Sequence, residues 1–142
     1  MESKAKAQQR VAQLATQDRF ARAMGVSFVE GGPGHATVAM TVSEQHLNFN
    51  GTCHGGAIFA LADAAFGLAS NSHGVIAAGI DAHITYQAAA GLDDRLTAAA
   101  TEVSRSRKLA VYRIDVARAD GTMISSFTGT VYVTARHHEP AG

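Results

Sequence analysis

From Gly55 to Ser70 the chain reads GGAIFALADAAFGLAS, an apolar run interrupted by one charged residue, Asp63. Small and straight-chain residues dominate it and β-branched ones are scarce, which predicts one long central helix over 55–72. Its polar face is missing, and a helix that is apolar all round has to be covered on every side. Beyond this run the chain has strand character. Val75–Ala89, Arg95–Arg105, Leu109–Ala119 and Met123–Ala135 are strand candidates. In the third, Val111, Arg113 and Asp115 alternate with Tyr112, Ile114 and Val116. In the fourth, Thr128, Thr130, Tyr132 and Thr134 share a face. Asp120-Gly121 marks a hairpin between those two. One apolar helix and then an antiparallel meander predict an α+β domain whose sheet wraps around that helix. A sheet covers only one side, so a symmetric partner is expected on the other, making the protein at least a homodimer.

Upstream, residues 3–23 place Val11, Leu14 and Ala15 at helical spacing, predicting an amphipathic helix that ends near Gly25. Ser27–Glu30 reads as a short strand, 31–34 as a Gly/Pro turn, His35–Ser43 as an alternating strand with Val38, Met40 and Val42 on one face, and 44–54 as a loop. The expected organisation is an N-terminal helix (1–24), a main domain (25–136) and a flexible tail (137–142). With 46% hydrophobic and 17% charged residues in 142, the chain has the composition of a globular domain with its own core. Its formal net charge of zero gives no global electrostatic case for nucleic acid. The lone cysteine, Cys53, excludes an internal disulfide and fits a reducing compartment. Cys53 beside His54 invites a nucleophilic-pair reading, against which adjacent residues of an extended segment point to opposite sides. The first ten residues lack a secretory apolar core, and the apolar run is too short and too charged to cross a membrane, so a cytoplasmic location is expected. The seven histidines show no paired metal spacing, and no metal is expected.

One turn away from Asp63 on the helix lie Phe59, Ala60, Phe66 and Gly67. A carboxylate among them loses water and gains no partner from its own helix. Either backbone or water satisfies it, or it serves chemistry. The segment NFNGTCHGG (48–56), with Asp63 nine residues after His54, resembles the hotdog-fold acyl-CoA thioesterases, most closely the phenylacetate-degradation (PaaI) type. The resemblance extends over roughly residues 20–135 and includes Ile84-Thr85-Tyr86. It implies a hotdog fold, an antiparallel sheet around one central helix, and hydrolysis of an aromatic or medium-chain acyl-CoA to the acid and free coenzyme A. Asp63 is then the nucleophile or general base, the Gly55 amide stabilises the oxyanion, and Asn48 polarises the thioester or orients water. His54 orients substrate or, more in keeping with the family, supports the loop.

Physical chemistry agrees with these roles. Gly55 and Gly56 at a helix start allow close approach, and the free amides and dipole there favour a developing negative charge. Each residue also has a structural reading: a tight glycine entry into the helix, and an Asx turn at Asn48. Eight residues of helix separate Gly55 from Asp63 by about 12 Å, too far to serve one carbonyl. An antiparallel partner helix would supply the second group, in line with the family's sites at a dimer interface, and pairing of dimers into a homotetramer is expected. Phe59, Phe66 and Tyr86 are candidates to line the acyl pocket, with core packing the alternative for the two phenylalanines. Arg105, Arg107 and Lys108 cluster where two strands meet, a docking point for coenzyme A phosphates or simply solvated strand-end charges. Coenzyme A belongs to the substrate, and no separate cofactor is expected. Two departures stand out: Gly79 occupies a position where some relatives carry a catalytic Ser, and Ala89 one where a Pro is common. A hotdog hydratase or dehydratase using His54 with Asp63, and a non-catalytic acyl-CoA binder, are the alternatives.

Overall fold

The computed structural model describes residues 2–140. Helix α1 (Lys4–Gln17) starts at Ser3, whose hydroxyl accepts the Lys6 N–H. The single N-terminal helix expected from the sequence is two. Asp18 adopts an extended backbone (φ −82°, ψ 93°) and its Oδ1 accepts the Ala21 N–H at 2.9 Å, capping a new short helix, α2 (Arg19–Ala23). Gly25, at φ +81°, turns the chain out of it.

Six strands are arranged around the central helix α3 (Gly55–Ser70): β1 (Ser27–Gly32), β2 (His35–Thr41), β3 (Val75–Tyr86), β4 (Arg95–Arg105), β5 (Leu109–Arg118) and β6 (Met123–His137). They form one antiparallel sheet in the order β1-β2-β4-β5-β6-β3, so β3, which comes straight after α3, returns to the far edge. This is the α+β arrangement anticipated, a sheet wrapped around one helix. Leu61, Ala62, Ala65 and Ala69 of α3 are buried against Val38, Leu96, Ala98, Ile114 and Phe127 of the sheet. Phe66 lies flat against β6 because position 129 is glycine: a Cβ there would stand 2.6 Å from its ring. Its ring meets Tyr112 and Phe127 at centroid distances of 6.0 and 5.5 Å, and Phe59 meets Phe127 edge-on at 5.3 Å.

The N-terminal helix is part of the main domain. Val11 is fully buried in the same core as α3, and Gly31 admits it, since a Cβ there would fall 2.5 Å from Val11 Cγ1. At the other end β6 continues through His137, where the tail was expected to begin. The His138 N–H donates to the Gly74 carbonyl at 2.9 Å and its ring meets Asn71 Oδ1 at 2.8 Å. Of the expected tail, Ala141 and Gly142 lie outside the described residues. The 44–54 loop holds a 3-10 turn (Glu44–His46) braced by buried His46, whose Nδ1 accepts the Ser43 N–H while Nε2 bonds the Met24 carbonyl at 2.6 Å. The His46 carbonyl accepts the His54 N–H at 2.7 Å, tying that brace to the start of α3.

Candidate active site

The first turn of α3 is built around one free amide. His54 caps the helix with its side chain: Nδ1 accepts the Gly56 N–H at 2.7 Å, and the His54 carbonyl takes Ala57 and Ile58. The Gly55 N–H bonds nothing among the described residues. Both glycines sit close to neighbouring side chains. A Cβ on Gly56 would come within 2.9 Å of His54 Nδ1, and one on Gly55 within 3.3 Å of the Tyr86 ring, whose hydroxyl donates to the Gly55 carbonyl at 3.1 Å. Tyr86 is half-exposed, and with Gly55, Ile58 and Cys53 it lines an open recess of about 350 Å³. Asn48 organises the loop leading in. Its Oδ1 accepts the Asn50 and Thr52 N–H groups at 2.9 and 3.2 Å, and its Nδ2 donates to Thr52 Oγ1 at 3.1 Å. His54 is thus a cap and Asn48 an Asx-turn residue in the single chain. Cys53 is buried, and burial pushes its thiol up to about 11, so it stays protonated at neutral pH.

Asp63 is not buried as its sequence neighbours suggest. It sits on the one strip of α3 that the chain leaves uncovered, with Gly56 and Gly67. Its carboxylate opens into a cleft of about 340 Å³ walled by Ala60, Ala64, Phe66 and Gly67 of α3, Gly79 of β3, and Asp18 and Phe20 from α2 and its cap. Partial burial against these apolar walls raises its pKa, and the nearby Asp18 carboxylate raises it further, with no hydrogen-bond donor lowering it. Asp18 and Phe20 are absent from the sequence-derived site; the only signal is the Asp-initiated helix start at residue 18. Gly79 leaves open the place where a side chain would crowd Phe66, 3.1 Å from its Cε2.

The remaining candidates divide. Phe66 is buried and Phe59 partly so, and both serve chiefly as core, Phe66 showing one edge to the Asp63 cleft. Arg107 and Lys108 stand exposed on the β4–β5 turn, whereas Arg105 turns in beside Glu102 and Tyr112. That turn lies at the end of the sheet where β3 begins, opposite the Tyr86 end that carries Gly55. Two polar recesses of about 470 and 520 Å³ between α1 and residues 136–140 are larger than the Asp63 cleft but hold neither Asp63 nor the free amide. Among the described residues, no three His, Cys, Asp or Glu side chains gather to hold a metal, and no helix is long and apolar enough to cross a membrane.

The family model of the thioesterase superfamily matches residues 50–125, which include Gly55, Asp63 and Tyr86. The chain belongs to this superfamily. Acyl-coenzyme A thioesterase PaaI of Escherichia coli K12 is 34% identical over 124 residues, covering 87% of this chain and 89% of the relative. The structure of the E. coli PaaI protein from the phenylacetic acid degradation operon superposes with a TM-score of 0.92 at 31% identity, over 96% of this chain and 99% of that one. A hypothetical thioesterase protein from Streptococcus pneumoniae TIGR4, solved with coenzyme A, superposes with a TM-score of 0.82 at 28% identity, over 89% of this chain and 98% of its own. The sheet wrapped around α3 is therefore a hotdog fold, and the chain is a thioesterase of the PaaI type.

Proposed function

We propose that the enzyme hydrolyses acyl-CoA thioesters, with an aromatic or medium-chain acyl group, at two sites per homodimer, each joining the Gly55 amide of one copy to Asp63 of the other. One observation carries this reading. Gly55, whose N–H is free, and Asp63 line different recesses of the same chain, so one chain alone does not present both groups to one carbonyl. The E. coli relative's name and the coenzyme A in the S. pneumoniae structure support acyl-CoA as the substrate class.

The chemistry comes from the two groups. As Asp63 takes a proton from water, the water oxygen bonds to the thioester carbon, and the carbonyl oxygen becomes an oxyanion facing the Gly55 N–H at the positive end of α3. Collapse breaks the C–S bond, and the coenzyme A thiolate takes the proton back from Asp63, giving the acid and free thiol. Direct attack by the carboxylate through an anhydride uses the same placement. The hydratase alternative needs His54 poised beside Asp63, and the commitment of His54 Nδ1 to the Gly56 amide counts against it.

Thiol release from a panel of acyl-CoAs, phenylacetyl-CoA included, tests the proposal. Asp63→Ala is expected to lose about 10³-fold in kcat while remaining folded. Equal rates for the two proteins refute the role of Asp63. Hydration of an enoyl-CoA without thiol release would favour the hydratase.

A further inference from the structure

Phe20 is 66% exposed. Isolated apolar side chains are common on protein surfaces and need no explanation, but this one shares a cleft with the single carboxylate of α3. Its position is fixed from both sides. Asp18 caps α2 two residues earlier, and Ala21, the next residue, is buried and its carbonyl accepts the Val26 N–H at 2.9 Å. Phe20 thus projects from a short, anchored turn and has not simply been left over at a fraying end. Two glycines line the same cleft. A Cβ on Gly67 would meet nothing within 4 Å, and Gly79 is bare where β3 passes Phe66. The cleft is thus lined by Phe20, an edge of Phe66, small residues of α3 and β3 (Ala60, Ala64, Gly67, Gly79) and the Asp63 carboxylate. Its volume of about 340 Å³ falls at the low end of small-molecule pockets, roughly 300–1,000 Å³.

We infer that Phe20 is a specificity-determining residue, forming the outer wall of the acyl pocket and favouring an aromatic acyl group over a short one. The inference rests on the thioesterase reading and names the part of its site that grips the acyl group. An aromatic acyl group entering the cleft covers Phe20 and gains ring-on-ring contact, whereas an acetyl group is too small to reach it.

The test compares the full chain with Phe20→Ala and Phe20→Leu, using phenylacetyl-CoA and acetyl-CoA. The ratio of kcat/KM values, phenylacetyl over acetyl, is expected to fall about tenfold in Phe20→Ala, mostly through KM, with Phe20→Leu intermediate. A ratio unchanged within about twofold overturns the inference. So does an equal loss on both thioesters together with a change in oligomeric mass, which would make Phe20 a subunit contact. Calorimetric binding of the same two thioesters to Asp63→Ala, with and without Phe20→Ala, separates this inference from the hydrolase reading. Selective loss of phenylacetyl-CoA binding in a protein whose wild type releases no thiol would keep the pocket and remove the hydrolase; an unchanged binding ratio removes the pocket whatever the turnover.

Discussion

Asp63 is held by two influences of the same sign. Burial against Ala60, Ala64 and Phe66 disfavours its charge, and the Asp18 carboxylate disfavours it again. A base must be ionised to work, so a raised pKa moves the acid limb of the rate profile to higher pH than an ordinary aspartate would give. Asp18→Asn removes the like charge and keeps the cap, since Asn serves as well as Asp at that position. The acid limb of kcat/KM should move to lower pH with the plateau kept, as measured by thiol release across a pH series. A limb that stays put means Asp18 does not act on Asp63. At this scale the sequence is informative about neighbours along one helix: Phe59, Ala60, Phe66 and Gly67 are given by spacing alone. It is silent on Asp18, which reaches the cleft only because α2 folds back. It also misplaces Asp63 as buried, because a helix apolar on all faces gives no hint of which strip its own chain leaves bare.

Three elements are tied together at the end of the sheet where α3 hands over to β3. Glu102 of β4 accepts the Tyr112 hydroxyl of β5 at 2.6 Å and pairs with His73, in the turn after α3, at 2.8 Å. Burial alone would raise the Glu102 pKa, but these two bonds, with the charges of His73 and Arg105, hold it below the usual carboxylate value. A carboxylate with a depressed folded pKa stabilises the fold above its unfolded pKa, and that contribution is lost as pH falls through the folded value. Glu102→Gln should therefore melt below wild type at neutral pH, and the gap should close in acid below the ordinary carboxylate range. Thermal unfolding at several pH values measures it; a gap constant with pH would mean the loss is one of shape and not of charge. Strand alternation and the Asp120-Gly121 turn make β4, β5 and β6 legible in advance, because each has one face in the core. The break at Asp18 and the extension of β6 to His137 are less so. One depends on a cap winning over helix propensity, the other on pairing with β3 across the chain.

At the scale of the whole molecule, an uncovered strip of α3 lies beside an unpaired edge. β3 spans 12 residues at the margin of the sheet, residues 78–83 are exposed on it, and Ile80 is 61% accessible. A long edge strand with exposed apolar side chains is a ready surface for a second copy. A twofold axis there would set the two α3 helices antiparallel and bring the Gly55 end of each toward Asp63 of the other, as the proposed shared site requires. The apolar run and the helical rise lead to the idea of a shared site from the sequence alone, and the resemblance names the Gly55 amide; what the fold adds is that this N–H has no partner among the described residues. Two substitutions make the sharing measurable. Gly55→Pro deletes the N–H at the first helical position, where proline is tolerated, and His54 already has the extended backbone (φ −61°, ψ 137°) that precedes a proline. Gly55→Ala adds a similar Cβ beside Tyr86 but keeps the N–H, so it controls for crowding. Gly55→Pro should cost about 10²–10³ in kcat and Gly55→Ala far less. Mixing inactive Gly55→Pro with inactive Asp63→Ala after dissociation and reassembly then decides the architecture. If each site takes its amide and carboxylate from different chains, every hybrid dimer has one intact site, and an equal mixture recovers about a quarter of wild-type activity. If both groups come from one chain, no hybrid has an intact site and the mixture stays inactive.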